Sequence, residues 1–287
     1  MGTLSRGWKL AKVSFSVLGK DKELMLFPLI SGIITIGIWI SFFVGFFFVA
    51  GLQGMLSGLL GMPNDMWVYF EIAIGFLVYV VSYFIAIYFN AAVVGAAMIR
   101  LNGGDPTLSD GIKAANKHIG KIFMWALFSA TVAMILRAIS ERAGFVGKII
   151  VGFIGMAWNF ATFFVVPVIV FEGLGPWGAV KRSMGILRRS WGEALVGQLS
   201  MGFIIFLLAL VGLVPLFIGI YALVVTTNLW IFAILVLVAV IYWVFIGVLS
   251  SAAQGVLVAA LYKYATTGET HPDFMPYIPP PVYYGAH

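Results

Sequence analysis

Three histidines (His118, His271, His287) and eleven acids are all this chain offers for proton transfer or metal binding. No cysteine is present, so disulfides, thiolate nucleophiles and cysteine-ligated metals are excluded. No two histidines stand at H-x-x-x-H spacing, and none falls inside a long apolar run. The acids Asp21, Glu23, Asp65, Glu71, Asp105, Asp110, Glu141, Glu172, Glu193, Glu269 and Asp273 lie at the ends of apolar runs, in the links between them or in the tail. Gly103–Pro106 (GGDP) is a turn; it lacks the G-x-x-x-x-G-K-[ST] spacing that cradles a phosphate. The expectation is a protein that is not an enzyme and carries neither metal nor cofactor.

Inside the apolar runs the polar residues are amides and hydroxyls: Asn90, Asn159, Gln198, Ser200, Ser250, Ser251 and Gln254. No charge sits deep in a run, which removes the usual carriers of ion-coupled transport. These residues read either as interhelical hydrogen-bonding groups or, for Asn90, Asn159 and Gln254, as the lining of a cavity for a lipid headgroup or small solute. Glu172 sits near Lys181 and Arg182 in sequence, and reads as an ordinary turn acid or their ion-pair partner, or as part of an opening between repeats.

The elements that hold these residues are set by composition. Of 287 residues, 62% are hydrophobic and 10% are charged, and the mean hydropathy is +1.07. Uncharged runs of roughly 18 residues or more read as membrane helices. They are too continuously apolar for the alternating strands of a barrel. The fold class expected is all-α and integral to the membrane, with six transmembrane helices over 24–50, 71–98, 122–136, 149–171, 194–221 and 229–264. The third is short and is expected to borrow residues from the polar helix, 107–120, that leads into it. The Gly-rich stretch Gly51–Asp65 is expected to lie at the interface or form a short re-entrant hairpin. Arg137 and Glu141 have the i,i+4 spacing of a helical ion pair. A single membrane domain, 1–264, is followed by a Pro- and Tyr-rich tail, 265–287, which reads either as a stiff partner-binding strand or as a disordered terminus. No apolar stretch of h-region length precedes Leu24 and no small-x-small cleavage site follows one, so an uncleaved N-terminus is expected.

Six spans bring both ends of the chain to one side. Of 17 Lys and Arg, only Arg137, Arg142 and Lys148 fall on the opposite side, so both termini are expected in the cytoplasm, in the cell membrane. The net charge of +6 therefore reports contact with anionic lipid headgroups rather than nucleic acid.

A skeleton recurs three times before odd-numbered spans: KVSFSVLGK (12–20), KAANKHIGK (113–121) and KRSMGILRR (181–189). On a helix it sets basic residues opposite a small residue (Ser14, Ala115, Ser183) and an aliphatic one. The chain therefore reads as a threefold internal repeat of amphipathic interfacial helix plus two spans, about 7–98, 107–171 and 177–264. Lys12, Lys20, Lys113, Lys121, Lys181, Arg182, Arg188 and Arg189 are the expected headgroup contacts. Small residues in GAAM (95–98), SSAAQG (250–255) and GKIIVGFIG (147–155) permit close helix contacts, within one chain or between copies. A homo-oligomer built on these faces and on the tail is one expectation.

GWKLAKVSFSVLGKDKELMLFP, PTLSDGIKAANKHIGKI and GPWGAVKRSMGILRRSWGE resemble segments of six-span membrane proteins of unassigned function, similar to the membrane domain attached to some glycerophosphodiester phosphodiesterases. The soluble catalytic domain of those enzymes has no counterpart here, so the resemblance implies a fold and a location without a reaction. The functional expectation is a non-enzymatic scaffold or interaction module that self-associates. The alternative is a channel, carrier or flippase for lipids or small polar solutes.

Overall fold

A computed structural model describes residues 3–60 and 64–269. The chain there is helical throughout, with six helices long and apolar enough to cross a membrane: Lys22–Gly51, Trp67–Leu101, Ile119–Arg142, Phe145–Glu172, Ala194–Thr226 and Leu229–Thr267. Each expected span coincides with one of these and extends at its ends.

In chain order, α1 (Thr3–Lys20) carries the first basic skeleton, and a 3₁₀ turn at Lys22–Met25 joins it to α2 (Leu26–Leu60). Residues Gly51 to Leu60, expected to leave the membrane helix, instead continue α2. An apolar stretch with no strong breaker before Pro63 keeps its backbone groups paired by staying helical; residues 61–63 lie outside the described chain. α3 (Asn64–Leu101) returns and ends in a turn at Gly103, whose φ of +86° suits glycine. α4 (Leu108–Asn116) opens on a reciprocal cap. Thr107 Oγ1 accepts from the Asp110 amide at 3.3 Å, and Asp110 Oδ2 accepts from the Thr107 amide at 3.1 Å. The Thr107 hydroxyl also donates to Asp110 Oδ2 at 2.6 Å; that bond first, then the Thr107 amide and nearby Lys113, hold the Asp110 carboxyl below its ordinary pKa.

α5 (Ile119–Arg142) is longer than its apolar run because it absorbs the polar link, where Arg137 Nε lies 2.9 Å from Glu141 Oε1 as the spacing required. α6 (Phe145–Ala161) breaks at Thr162–Phe164, resumes as α7 (Val165–Pro167) and closes in a π turn, Val168–Glu172. The amide freed at Phe164 donates to Ser183 Oγ at 3.0 Å. α8 (Pro176–Val211) contains the third basic skeleton and the start of the fifth span in one unbroken helix. It gives way at Gly212 to α9 (Leu213–Thr226), near Pro215. The Gly212 amide turns to Ala209 instead of Leu208, and the freed Leu208 carbonyl accepts from Tyr242 Oη at 2.7 Å. Trp243 Nε1 donates to Ala209 O at 3.0 Å. In hydrocarbon such side-chain donors replace water. α10 (Leu229–Thr267) is about 58 Å long at 1.5 Å per residue.

Buried side chains gather at one end of the bundle, where α1, α3, α4, α7, α8 and the last third of α10 meet. Small residues make this possible. A Cβ on Gly255 would fall 2.5 Å from Val93 Cγ1, and one on Gly95 would fall 2.5 Å from Ala114 Cβ. One on Gly111 would meet the Phe27 ring and lie 2.8 Å from Ala92 O. GAAM and SSAAQG are thus engaged within the chain. Gly152 and Gly155 of the third glycine-rich stretch have nothing within 4 Å. The first span is the opposite case: none of its most apolar stretch is buried.

Candidate functional site

Two groups of polar residues emerge, one at the packed end and one part-way along the spans. At the packed end, Asp21, in the turn before α2, forms a two-pronged ion pair with Arg100 at the end of α3, and Arg100 Nη2 also reaches Asp105 at 2.9 Å. Lys263 Nζ donates to the carbonyl of Leu101 at 3.1 Å. Lys121 Nζ donates likewise to the carbonyl of Gly173, so two cations sit on the carbonyl-rich ends of the second and fourth spans. Glu172 accepts from Arg182 Nε at 2.9 Å through both oxygens, and from Tyr262 Oη at 2.9 Å. Glu172 is therefore an ion-pair partner of Arg182, as one of its readings had it. The hydroxyl of Tyr262, 90 residues away, is a partner that no local pattern could reveal. These contacts place the starts of spans one, three and five beside the ends of spans two, four and six.

His118, at the mouth of α5, lies against Gly173, whose φ of +63° suits glycine. Burial first, then Lys121 and Lys117, push the imidazole pKa down from its ordinary value.

The three small residues of the basic skeletons, Ser14, Ala115 and Ser183, are each fully buried at 0% exposure. Of the aliphatic positions, Leu18 and Leu187 are buried while Ile119 is exposed. Lys12, Lys20, Lys113, Lys181 and Arg188 face outward, and Arg182 is exposed though paired with Glu172. Lys12 lies 6.0 Å from the centroid of Trp8, and Lys181 5.7 Å from that of Trp177. Lys121 departs from the outward set, being half-buried on the Gly173 carbonyl. The side chain of Arg189 lies outside the described residues, as do tail residues 270–287.

Asn90, Asn159, Gln254 and Glu172 do not share one cavity. Asn90 lines a cleft of about 380 Å³ among α2, α3 and α10 with Ser31 and Ser251. Asn159 lines another, of about 400 Å³, among α3, α5 and α6 with Ser129, Trp125 and Trp158. Gln254 Nε2 donates to Ser250 Oγ at 3.0 Å on its own helix. Glu172 belongs to the ion-paired end. The separation follows from helix geometry: each polar residue faces whichever neighbour its own helix packs against, and the spans pair off differently around the bundle. A third cleft, about 690 Å³, lies between α2 and α3; its walls are apolar apart from Ser41 and Glu71. Among the described residues no group of three His, Cys, Asp or Glu could hold a metal ion.

Residues 68–272 match the family model DUF6159, a family of unknown function. The chain belongs to that family. The DUF6159 match takes in α3 to α10, and with them Asn90, Asn159, Arg100 and the Glu172–Arg182 pair. It brings no link to the membrane domain of the glycerophosphodiester phosphodiesterases. No curated protein matches the chain.

Proposed function

We propose that this DUF6159 protein is a non-enzymatic scaffold of the cell membrane, with both termini in the cytoplasm and its packed end against anionic headgroups. The observation that carries the reading is the engagement of charge at that end. Asp21, Arg100, Glu172 and Arg182 are bound to one another, while Lys12, Lys113 and Lys181 face outward around them. Such an arrangement fixes helices and holds an anionic surface. The threefold repeat is part of the proposal. Ser14, Ala115 and Ser183 occupy matching positions and are equally buried, and in each case an entry helix packs on an even-numbered span of another unit: α1 on α10, α4 on α3, and α8 on α7. Self-association is the expected mode of action, through the little-buried first span and the glycine face at Gly152.

A second reading, a carrier or flippase for lipids, is favoured by the side clefts that hold Asn90 and Asn159. Reconstitution separates the two. As a scaffold, the full chain in liposomes gives dye efflux and fluorescent-lipid scrambling equal to protein-free vesicles, and polymer extraction of native membranes yields particles of several 31.3 kDa subunits. Scrambling well above background from monomeric particles would overturn the scaffold.

A further inference from the structure

In the cleft among α3, α5 and α6 one buried hydroxyl departs from the hydroxyls around it. Ser82 on α3, Thr131 on α5 and Thr162 at the end of α6 each donate to the carbonyl four residues back, at 2.8 Å. A hydroxyl in a membrane helix satisfies itself this way when nothing better is near. Ser129, on the cleft wall and 6% exposed, does not: its Oγ is buried and has no partner among the described residues. An unmet buried hydroxyl costs roughly what a lost hydrogen bond does. Across the same cleft the exposed Asn159 amide carries two donors and an acceptor. Nothing lies within 4 Å of a Cβ on Gly155, so the space beside Asn159 is unfilled.

The rest of the wall is aromatic. Trp125 and Trp158 stack with centroids 6.0 Å apart and planes 22° apart, and Phe128 packs against both. That gap is too small to admit a third ring between the indoles, so a planar guest would lie along their cleft side, with offset stacking. No Asp, Glu, Lys, Arg or His lines the cleft. Ser129 stands ten residues into its span, about 15 Å along the helix, and Tyr83 and Asn159 are similarly central in theirs. At that depth a charged guest would be expelled. An uncharged one with a ring, a polar substituent and an apolar tail would be retained, and the volume of about 400 Å³ falls in the range of small-ligand sites.

We infer that this cleft binds the head of an uncharged, ring-bearing membrane lipid of the isoprenoid-quinone type. The ring carbonyl or hydroxyl bonds to Ser129 and Asn159, the ring lies on the Trp125–Trp158 pair, and the tail leaves between helices. Ser129 and Asn159 can each donate or accept, so the quinone and its hydroquinone both fit; no electron transfer by this protein is implied. The inference is independent of the scaffold reading.

The test uses the full chain in phosphatidylcholine nanodiscs, titrated with decylubiquinone and followed by quenching of tryptophan fluorescence. Quenching with a saturable component is expected. Ser129→Ala should weaken the midpoint five- to tenfold and Asn159→Leu at least tenfold. Gly155→Leu, whose Cβ would meet nothing within 4 Å and whose branches add bulk to the cleft wall, should abolish saturation. Ser82→Ala, self-bonded on α3, should change nothing. Dioctanoylglycerol, neutral but without a ring, should not compete. Strictly linear quenching, equal midpoints in all variants, or competition by dioctanoylglycerol at matching concentrations would overturn the site. So would a Ser129→Ala protein that melts higher yet binds unchanged, since Ser129 would then be only a packing defect. If Asn159→Leu fails to fold, Gly155→Leu decides.

Discussion

The first span and the last third of α10 are both built from apolar sequence and stand at opposite ends of the packing scale. α10 buries Ala252, Ala253, Val256, Leu257, Ala259, Ala260 and Leu261 in a run, and each is at most 3% exposed. α2 leaves Val44, Phe47 and Phe48 at 66–69% exposed. Hydrophobicity does not distinguish them, because lipid tails are as apolar as side chains and give helices no reason to associate. Side-chain size does. Where Ala and Gly recur, backbones approach and ion pairs close the end of the bundle. Where Phe recurs, as at Phe42, Phe43, Phe46 and Phe47, the rings contact one another along a single helix and hold neighbours apart.

Steric insertion tests this contrast most severely. Gly255→Leu should cost about 3 kcal/mol, the upper end of the usual overpacking range, and lower the melting temperature in detergent sharply. Gly45→Leu in α2, where nothing lies within 4 Å, should leave it within the spread of repeated measurements. Equal effects would break the comparison. The ion pair comes next. Asp21 is 6% and Arg100 23% exposed, so Arg100→Met strands a nearly buried carboxylate. The loss should approach about 2 kcal/mol, below the 3–5 kcal/mol of a fully buried pair because Arg100 is partly wet. Chemical denaturation of Arg100→Met beside the double variant Asp21→Asn/Arg100→Met should show partial recovery in the latter. Trp243→Phe removes one donor from the α8–α9 break and should cost about 1 kcal/mol, with faster amide exchange around Gly212 than in the parent.

The smallest effect sharpens the picture at His118. Its folded pKa lies below the ordinary histidine value, so the unfolded chain binds the proton more tightly. Stability is full above the unfolded pKa and falls as pH drops through it toward the folded one. The melting temperature should therefore decline between about pH 7.5 and pH 5, and His118→Gln should flatten that slope. A rise in stability on acidification would contradict the packing at Gly173.

Much of this architecture could be read from residue order. Span positions follow from apolar runs, the α4 cap from Thr107 and Asp110, and the Arg137–Glu141 pair from i,i+4 spacing. The inward turn of Ser14, Ala115 and Ser183 follows from opposition to flanking lysines. These signals are local. What escaped depends on which helices become neighbours: Tyr262 on Glu172, Lys263 on the Leu101 carbonyl, Tyr242 on Leu208. Asn90, Asn159 and Gln254 were visible as polar residues in apolar runs, but their separation into different surroundings is a property of packing. Ser129 gave no warning at all. A serine in an apolar helix ordinarily bonds its own backbone, and only three-dimensional placement reveals that this one does not.

The three entry helices differ in how they join the spans they precede. A 3₁₀ turn separates the first from its span, and a break at Lys117–His118 separates the second, while α8 runs through from Pro176 to Val211. The first two joints act as swivels; the third is a stiff lever about 54 Å long. Displacement of its charged first turns should therefore carry into the fifth span, whereas the first two entry helices are free to turn against the spans they precede.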